Sequence, residues 1–532
     1  MISFWYSTAS QLSLVLFVLL AILSRKQLSK KATYLISRTL HIYLCYRYPI
    51  KHHEDKTSLP TSQYQWPNGQ GDVAKFLEGD ENSQIWAKKL GRTYRIWSGM
   101  KPEVVLTRPE HIKEVFKDSD KHYKAVNNNS GYLMSQILGQ CVGLLSGNAW
   151  RNLRSVNEKA FSRSASTGYV SLIDDRVKSY FKELQGSKTL FQGLLDPAQD
   201  LKLLPFLVVA EVIYGKLSPE LESKFRSIAP RREALFKHVI SGGLARFPVS
   251  KYLPTKANRT LAEFRTEWHA LNKMAYELAV SSGSNAPIIS LYAAADKGDI
   301  THEQMYQTLD EMLYANLDVT LGGISWNVVF LAANQDAQSR LRAEVGAMRE
   351  EAANSSNENS GDTSPSTAHK KFNAYLLSSS TFLAACVSES ARLRPLAAFS
   401  VPQSAPTPRL IDGYVVPAGT SFVIDSYALN IRNPFWGEES ETYRPDRFIE
   451  PRKGMSTEMR YNYWRFGFGP RQCMGKYVAD LIIRMLLVEL VEGFELELRK
   501  EDVAGKWERD RETWINHPEM LLKCEKRKLG SE

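Results

Sequence analysis

The chain has 532 residues, of which 43% are hydrophobic and 24% charged, and it carries a formal net charge of +10. That is ordinary globular composition with length enough for a large buried core, which excludes a disordered or collagen-like chain. Its five scattered cysteines (Cys45, Cys141, Cys386, Cys473, Cys524) form no Cys-x-x-Cys pair, which excludes a disulfide framework or zinc module. The basic balance comes with no nucleic-acid-binding signature, which points to a membrane surface or an acidic protein partner and not to nucleic acid.

Residues 1–24 contain no charge, and Leu12–Leu23 is almost wholly apolar. About 20 helical residues span a bilayer, so this stretch reads as an uncleaved, single-pass signal anchor. Arg25, Lys26, Lys30 and Lys31 follow it and set the C-terminal side as cytosolic. Residues 25–60 form a basic, aromatic connector with Tyr34, Tyr43, Tyr46 and Tyr48, and residues 61–532 remain for one main domain. Strands are predicted near Tyr94–Trp97 and Glu103–Thr107, a helix over Pro109–Lys117 and a loop at Asn127–Gly131. Trp150 and Arg154 are four apart on a helical pattern and share a face.

An apolar helix is predicted over Leu203–Tyr214. The apolar loop Leu244–Pro254 is either a membrane-dipping segment or ordinary packing. Thr301 and Gln304 form a capping-box pattern, and apolar spacing then runs to about Ala333. Asp318 lies in the middle of that helix. Bare burial of a carboxylate is costly, so it is either a proton relay or a satisfied structural group. The small polar residues of 351–371 read as a surface insertion. Glu389 and Arg392 are three apart and can pair, and Gly413–Asp425 reads as a hairpin. In Phe466–Gly475, glycines and a proline bring a tight turn to Cys473, next to the helix Tyr477–Leu490. Final strands near Phe494–Leu498 and Met520–Cys524 bracket a turn at Trp514–His517.

The spacing Phe466, Gly469, Arg471, Cys473, Gly475 resembles the haem-binding signature of the cytochrome P-450 superfamily. Trp150-x-x-x-Arg154, Glu389-x-x-Arg392 and Arg447 fall in the family's order before it. The resemblance implies a mainly α fold with small β-sheets behind one N-terminal transmembrane helix. It also implies haem b with Cys473 as the axial thiolate. Arg471, Trp150 and Arg154 would hold propionates, Phe466 would shield the sulfur, and Glu389, Arg392 and Arg447 would lock the core. The central helix departs from the family motif. Registered on Trp326, Asn316 replaces a Gly and Val319 replaces a Thr, while Thr320 sits about 100° further round. Asp318, Asn316 and Thr320 are thus the catalytic candidates. The implied pocket residues are Tyr314, Ala315, Val319, Ala397, Ala398, Phe399 and Trp514. Gln403 stands where many relatives place a propionate-binding Arg.

By the same resemblance, electrons come from NADPH through a cytochrome reductase docking near Arg465, Arg471 and Lys476, on an endoplasmic reticulum membrane with the main domain cytosolic. The open sixth position that oxygen activation needs argues against His517 as an iron ligand. The runs Asn316–Thr320 and Val401–Thr407 are similar to fungal secondary-metabolism enzymes of gliotoxin-type diketopiperazine pathways. They imply oxidation of a small molecule such as a cyclic dipeptide. Two alternatives stay open: oxidative coupling, cyclisation or dehydrogenation without oxygen insertion, and a non-catalytic membrane haem protein.

Overall fold

The computed structural model describes residues 30–357, 366–449, 455–503 and 507–527, though not the side chains of residues 188, 315–316, 355–357, 366–367 and 455–457. The expected anchor at 1–24 lies outside the described residues. Among those described, no helix is long and apolar enough to cross a membrane. The connector holds a helix that runs through residue 47.

The two predicted β runs form a hairpin, Thr93–Ser98 against Lys101–Leu106, with every residue of the first strand buried. The second strand pairs in parallel with Ser421–Ile424. Beyond that strand come Gln403–Ser404 and Tyr123–Lys124, both antiparallel, completing a five-stranded sheet. In that register Lys124 lies opposite Gln403. Two three-stranded sheets flank it, one built from Phe494–Leu498, Leu522–Lys526 and Leu194–Leu195.

Helices carry the rest. The central helix His302–Ala333 opens on the predicted capping box: Gln304 N donates to Thr301 Oγ1 at 3.1 Å and Thr301 N donates to Gln304 Oε1 at 2.9 Å. These two bonds satisfy amides the helix itself leaves orphaned. At 32 residues it is about 48 Å long and crosses the whole apolar core. Leu204–Tyr214, buried at every position, packs along it, as do Phe382–Leu393 and Lys476–Gly493.

The expected loop at 351–371 is corrected at both ends. One helix continues to Asn357 and the next starts at Ser366, and Glu351 and Lys371 pair across them at 2.7 Å. Ala352 is buried. The Glu and Ala residues at its start are good helix formers, and packing extends the helix through them. At 127–129, three asparagines adopt φ of 51°, 56° and 56°, a left-handed conformation that Asn tolerates better than most residues.

Candidate active site

Cys473 is fixed by its own loop. Its amide donates to the Phe466 carbonyl at 2.8 Å, closing a turn in which Gly467 and Gly469 hold φ of 84° and 66°. A Cβ on Gly469 would fall 2.2 Å from Ser119 Oγ, so close approach and backbone conformation both demand glycine there. Cys473 presents accessible surface, yet burial raises its thiol pKa, and the Gly475 amide and the charges of Arg154 and Lys476 pull it back. Surface without exposure to the exterior describes a residue on the wall of an internal cavity. Gly475 caps the following helix with an ordinary φ of −81°, and a Cβ there would meet nothing within 4 Å. Protein packing does not require glycine at 475.

Beside the thiol is a wall of donors. The helix Gly147–Asn157 buries Trp150, and the Arg471 guanidinium lies 4.5 Å over its ring. Arg471 donates to the Leu145 carbonyl, but its Nε is buried without an acceptor, and burial lowers its pKa to about 10. Arg154 donates to the Gln472 carbonyl at 3.2 Å and pairs with Glu158 at 3.3 Å. A guanidinium with a buried donor lacking an acceptor, next to a cavity-lining thiol, fits a haem: carboxylates for the guanidinium, iron for the sulfur.

The central helix faces the site with Asp318 and Val319 half-buried and Thr320 buried. Burial holds the Asp318 carboxyl above the usual range, with His517 opposing the shift. The Asp318 carboxylate makes no ion pair among the described residues. One contact was not anticipated: His517 Nε2 lies 2.7 Å from the Asp318 main-chain carbonyl and donates to it. The C-terminal turn is pinned there because Trp326 Nε1 donates to the Asn516 carbonyl at 2.8 Å. Gly322 makes the approach possible, since a Cβ on it would stand 2.9–3.0 Å from Ile515, His517 and Leu396. Trp514, in the same turn, lies between Phe76 and Phe236 at 6.0 and 5.4 Å.

Sequence reasoning also missed a clamp. Gln307 Oε1, Thr308 Oγ1 and Glu311 Oε2 accept from the amides of Gln140, Val142 and Gly143 at 2.7, 3.2 and 3.0 Å. Gln307, Thr308 and Glu311 share one helix face at i, i+1 and i+4, and that spacing was the available signal.

Several expectations are corrected. Tyr314 does not line the pocket; it packs in an aromatic core with Phe206, Phe264 and Trp268. Phe399 is fully buried against Trp86 and Ala398 abuts Gly79, because both pack against the helix Gly79–Leu90. Val319, Ala397 and Trp514 keep partly open positions. The side chains of Ala315 and Asn316 lie outside the described residues. The surface cluster of Arg465, Arg471 and Lys476 does not form. Arg465 pairs with Asp480, Arg471 turns inward, and Lys476 donates to Gln472 at 3.1 Å.

The structural trio does come together. Arg392 grips Glu389 with two bonds of 2.7 Å, and Arg447 reaches the same carboxylate at 3.2 Å. Glu389 and Arg392 are fully buried, and the remaining Arg392 donors go to carbonyls of Asn430, Ser440 and Thr442. Each buried charge therefore has its partners.

The cytochrome P-450 family model matches residues 79–520. The cytochrome P-450 monooxygenase aclC of Aspergillus oryzae is 54% identical over 91% of this chain and 96% of its own length. The cytochrome P-450 monooxygenase gliC of Aspergillus fumigatus is 38% identical over 92% and 93%. Among solved structures, a zebra fish cytochrome P-450 with progesterone superposes at a TM-score of 0.63 and 18% identity, covering 84% of this chain and 98% of its own. That likeness is one of fold. With the donor set around Cys473, the matching family and relatives that run nearly end to end, the chain belongs to the cytochrome P-450 family of haem-thiolate monooxygenases.

Proposed function

We propose that the Cys473 thiolate would hold the haem iron and that Arg471, Trp150 and Arg154 would hold its propionates. The carrying observation is a cysteine on a cavity wall beside a guanidinium, Arg471, whose buried Nε lacks an acceptor. Phe466, with Arg465 stacked 4.4 Å over its ring, screens the sulfur side. Gly469 and Gly475 keep the loop close to the macrocycle. The Glu389, Arg392 and Arg447 trio fixes the scaffold beneath it.

Bound haem supplies oxygen activation, with electrons delivered from NADPH through a reductase and the thiolate favouring O–O cleavage. The protein's part is to bind, orient and deliver protons. Asp318 is the proton-relay carboxyl, its raised pKa bringing it nearer to a proton donor's working range. His517 positions it by holding its carbonyl. Asn316 and Thr320 flank the relay, and Val319 with Ala397 and Trp514 bounds the substrate space. The clamp from Gln307, Thr308 and Glu311 keeps the loop 140–143 in place over that space.

The substrate is a small fungal secondary metabolite, and the runs Asn316–Thr320 and Val401–Thr407 support a cyclic dipeptide. The reductase docks on the face carrying exposed Lys121 and Arg151, which border the Trp150–Arg471 pair. Residues 1–24 anchor the chain in the endoplasmic reticulum membrane with the main domain cytosolic. Exposed Tyr34, Leu35, Tyr46, Leu244, Val249 and Tyr252 support contact of the adjoining surface with lipid.

The deciding experiment supplies the enzyme with reductase, NADPH, cyclic dipeptides and labelled oxygen gas. Product carrying one labelled oxygen is expected. Val319 favours a second reading, oxidative coupling or dehydrogenation, and an oxidised product without label would establish it instead.

A further inference from the structure

Glu311 holds a backbone amide and has acceptor capacity left over. From Gln307 to Leu321, every described side chain of the central helix is buried except Glu311, Asp318 and Val319, which are half-buried. Seven helical residues turn through about 700°, so Glu311 and Asp318 lie within about 20° of one another on one face, about 10 Å apart along the axis. The same face carries Gly322, where Ile515 and His517 of the C-terminal turn come closest. A helix that crosses the core opens such a strip only to an internal space. That space is the one beside Cys473, because the Glu311 charge acts on both the Cys473 thiol and the Arg471 guanidinium.

The carboxylate is only partly used by the protein. Its Oε2 accepts from the Gly143 amide at 3.0 Å, and the buried Cys141 thiol is its second donor. A Cβ on Gly143 would collide with Oε1, so glycine lets the loop lie directly against the group. Among the described residues no cation pairs with Glu311. An ionised carboxylate offers about four acceptor sites and donates nothing. Leaving part of such a charge without partners in the interior is costly, and a ligand that donates a hydrogen bond would remove the deficit with a charge-assisted bond.

We propose that Glu311 is a specificity-determining residue that accepts an amide N–H of the substrate, holding a cyclic dipeptide by its ring while the rest of the molecule lies toward Asp318 and Val319. This rests on the cyclic dipeptide substrate proposed above and names the protein atom group that recognises its ring. The two ring amides cannot fold back onto their own carbonyls, so both N–H groups need outside acceptors. The ring carries no charge of its own to set against Glu311. Phe236 and Trp514, with ring centroids 5.4 Å apart, offer aromatic surface to a side chain of the dipeptide.

The test is calorimetric titration of the full-length, haem-loaded protein with cyclo(glycyl-L-phenylalanyl) and with its N,N′-dimethyl derivative, for wild type, Glu311→Gln and Glu311→Leu. Methylation removes both N–H donors and keeps the ring. Wild type should bind the parent compound about tenfold or more tighter than the dimethyl compound. In Glu311→Leu that ratio should fall to about one, and in Glu311→Gln, which keeps an uncharged acceptor, it should lie between. A Glu311 that merely held the Gly143 loop would weaken both compounds alike on substitution and leave the ratio at its wild-type value. That result, or a wild-type ratio near one, would overturn the assignment and leave the cyclic dipeptide substrate standing. If Glu311→Leu does not accumulate with haem, Glu311→Gln decides alone, and a ratio equal to wild type overturns the assignment. Binding of neither compound by wild type would overturn the cyclic dipeptide substrate and this assignment with it.

Discussion

Val319 stands where the family motif has a threonine, so no hydroxyl at that position can pass a proton to bound oxygen. Val319→Thr should raise the fraction of NADPH consumption that ends in product, measured as product formed per NADPH; an unchanged or lower fraction would mean that Asp318 and its neighbours already complete the relay. His517 acts through geometry. Misplacing a relay group by about 1 Å can cost on the order of a hundredfold, so His517→Ala should lower kcat by about tenfold or more with little change in KM. His517→Gln, which retains a donor, should recover part of the loss. Asp310 gives a pH test. Burial lifts its carboxyl from 3.8 to about 6, despite Arg232 at 2.7 Å. A raised folded-state pKa contributes stability that is full below 3.8 and lost as pH rises through about 6. Melting temperatures of wild type should therefore gain on those of Asp310→Asn between pH 7 and pH 5, and a constant difference would contradict this. At this scale the sequence was readable where chemistry is local: the spacing around Cys473 carries its own turn. The His517 contact was not readable, because its partner is distant in the chain.

Among the elements, the central helix was legible from end to end, since a capping box and apolar spacing specify it without reference to neighbours. What the spacing could not show is which side of the helix faces which layer. Tyr314 was placed in the pocket, but its ring completes an aromatic core instead. The segment 351–371 was misread because polar composition argues against burial, not against helix, and good helix formers extended both flanks. A buried network illustrates how remote elements are joined: Lys75 pairs with Glu103 at 3.1 Å and Arg246 with Asp72 at 3.2 Å, all four buried. Arg246 comes from the loop between the helices Pro219–Ser241 and Lys256–Ser281, so the network ties that loop to the sheet. Removing one partner of a buried pair costs about 3–5 kcal/mol. Arg246→Ala should lose on that order in chemical denaturation and should increase proteolysis at the loop. Loss under about 1 kcal/mol would mean that water or another donor replaces it.

Over the whole molecule, the motifs appear in family order from Trp150 to Gly475, and the order gave away the architecture before any packing was known. Surface properties were less legible. The cationic cluster expected around Arg465 and Arg471 dissolves once both side chains find interior partners, and the proposed reductase face carries exposed Lys121 and Arg151 instead. Charge reversal at Arg151 should raise the KM for reductase severalfold at low salt and have little effect at high salt, as screened surface attraction requires. Equal effects at both salts would place docking elsewhere. All of this depends on one bond, from Cys473 to iron. The direct measurement is the absorption spectrum of the reduced, carbon monoxide-bound protein, wild type beside Cys473→Ala, with haem content determined separately. The wild type should show the red-shifted Soret band of a thiolate-ligated haem, and the variant should lose it even where haem is retained. Persistence of that band in Cys473→Ala would contradict the account.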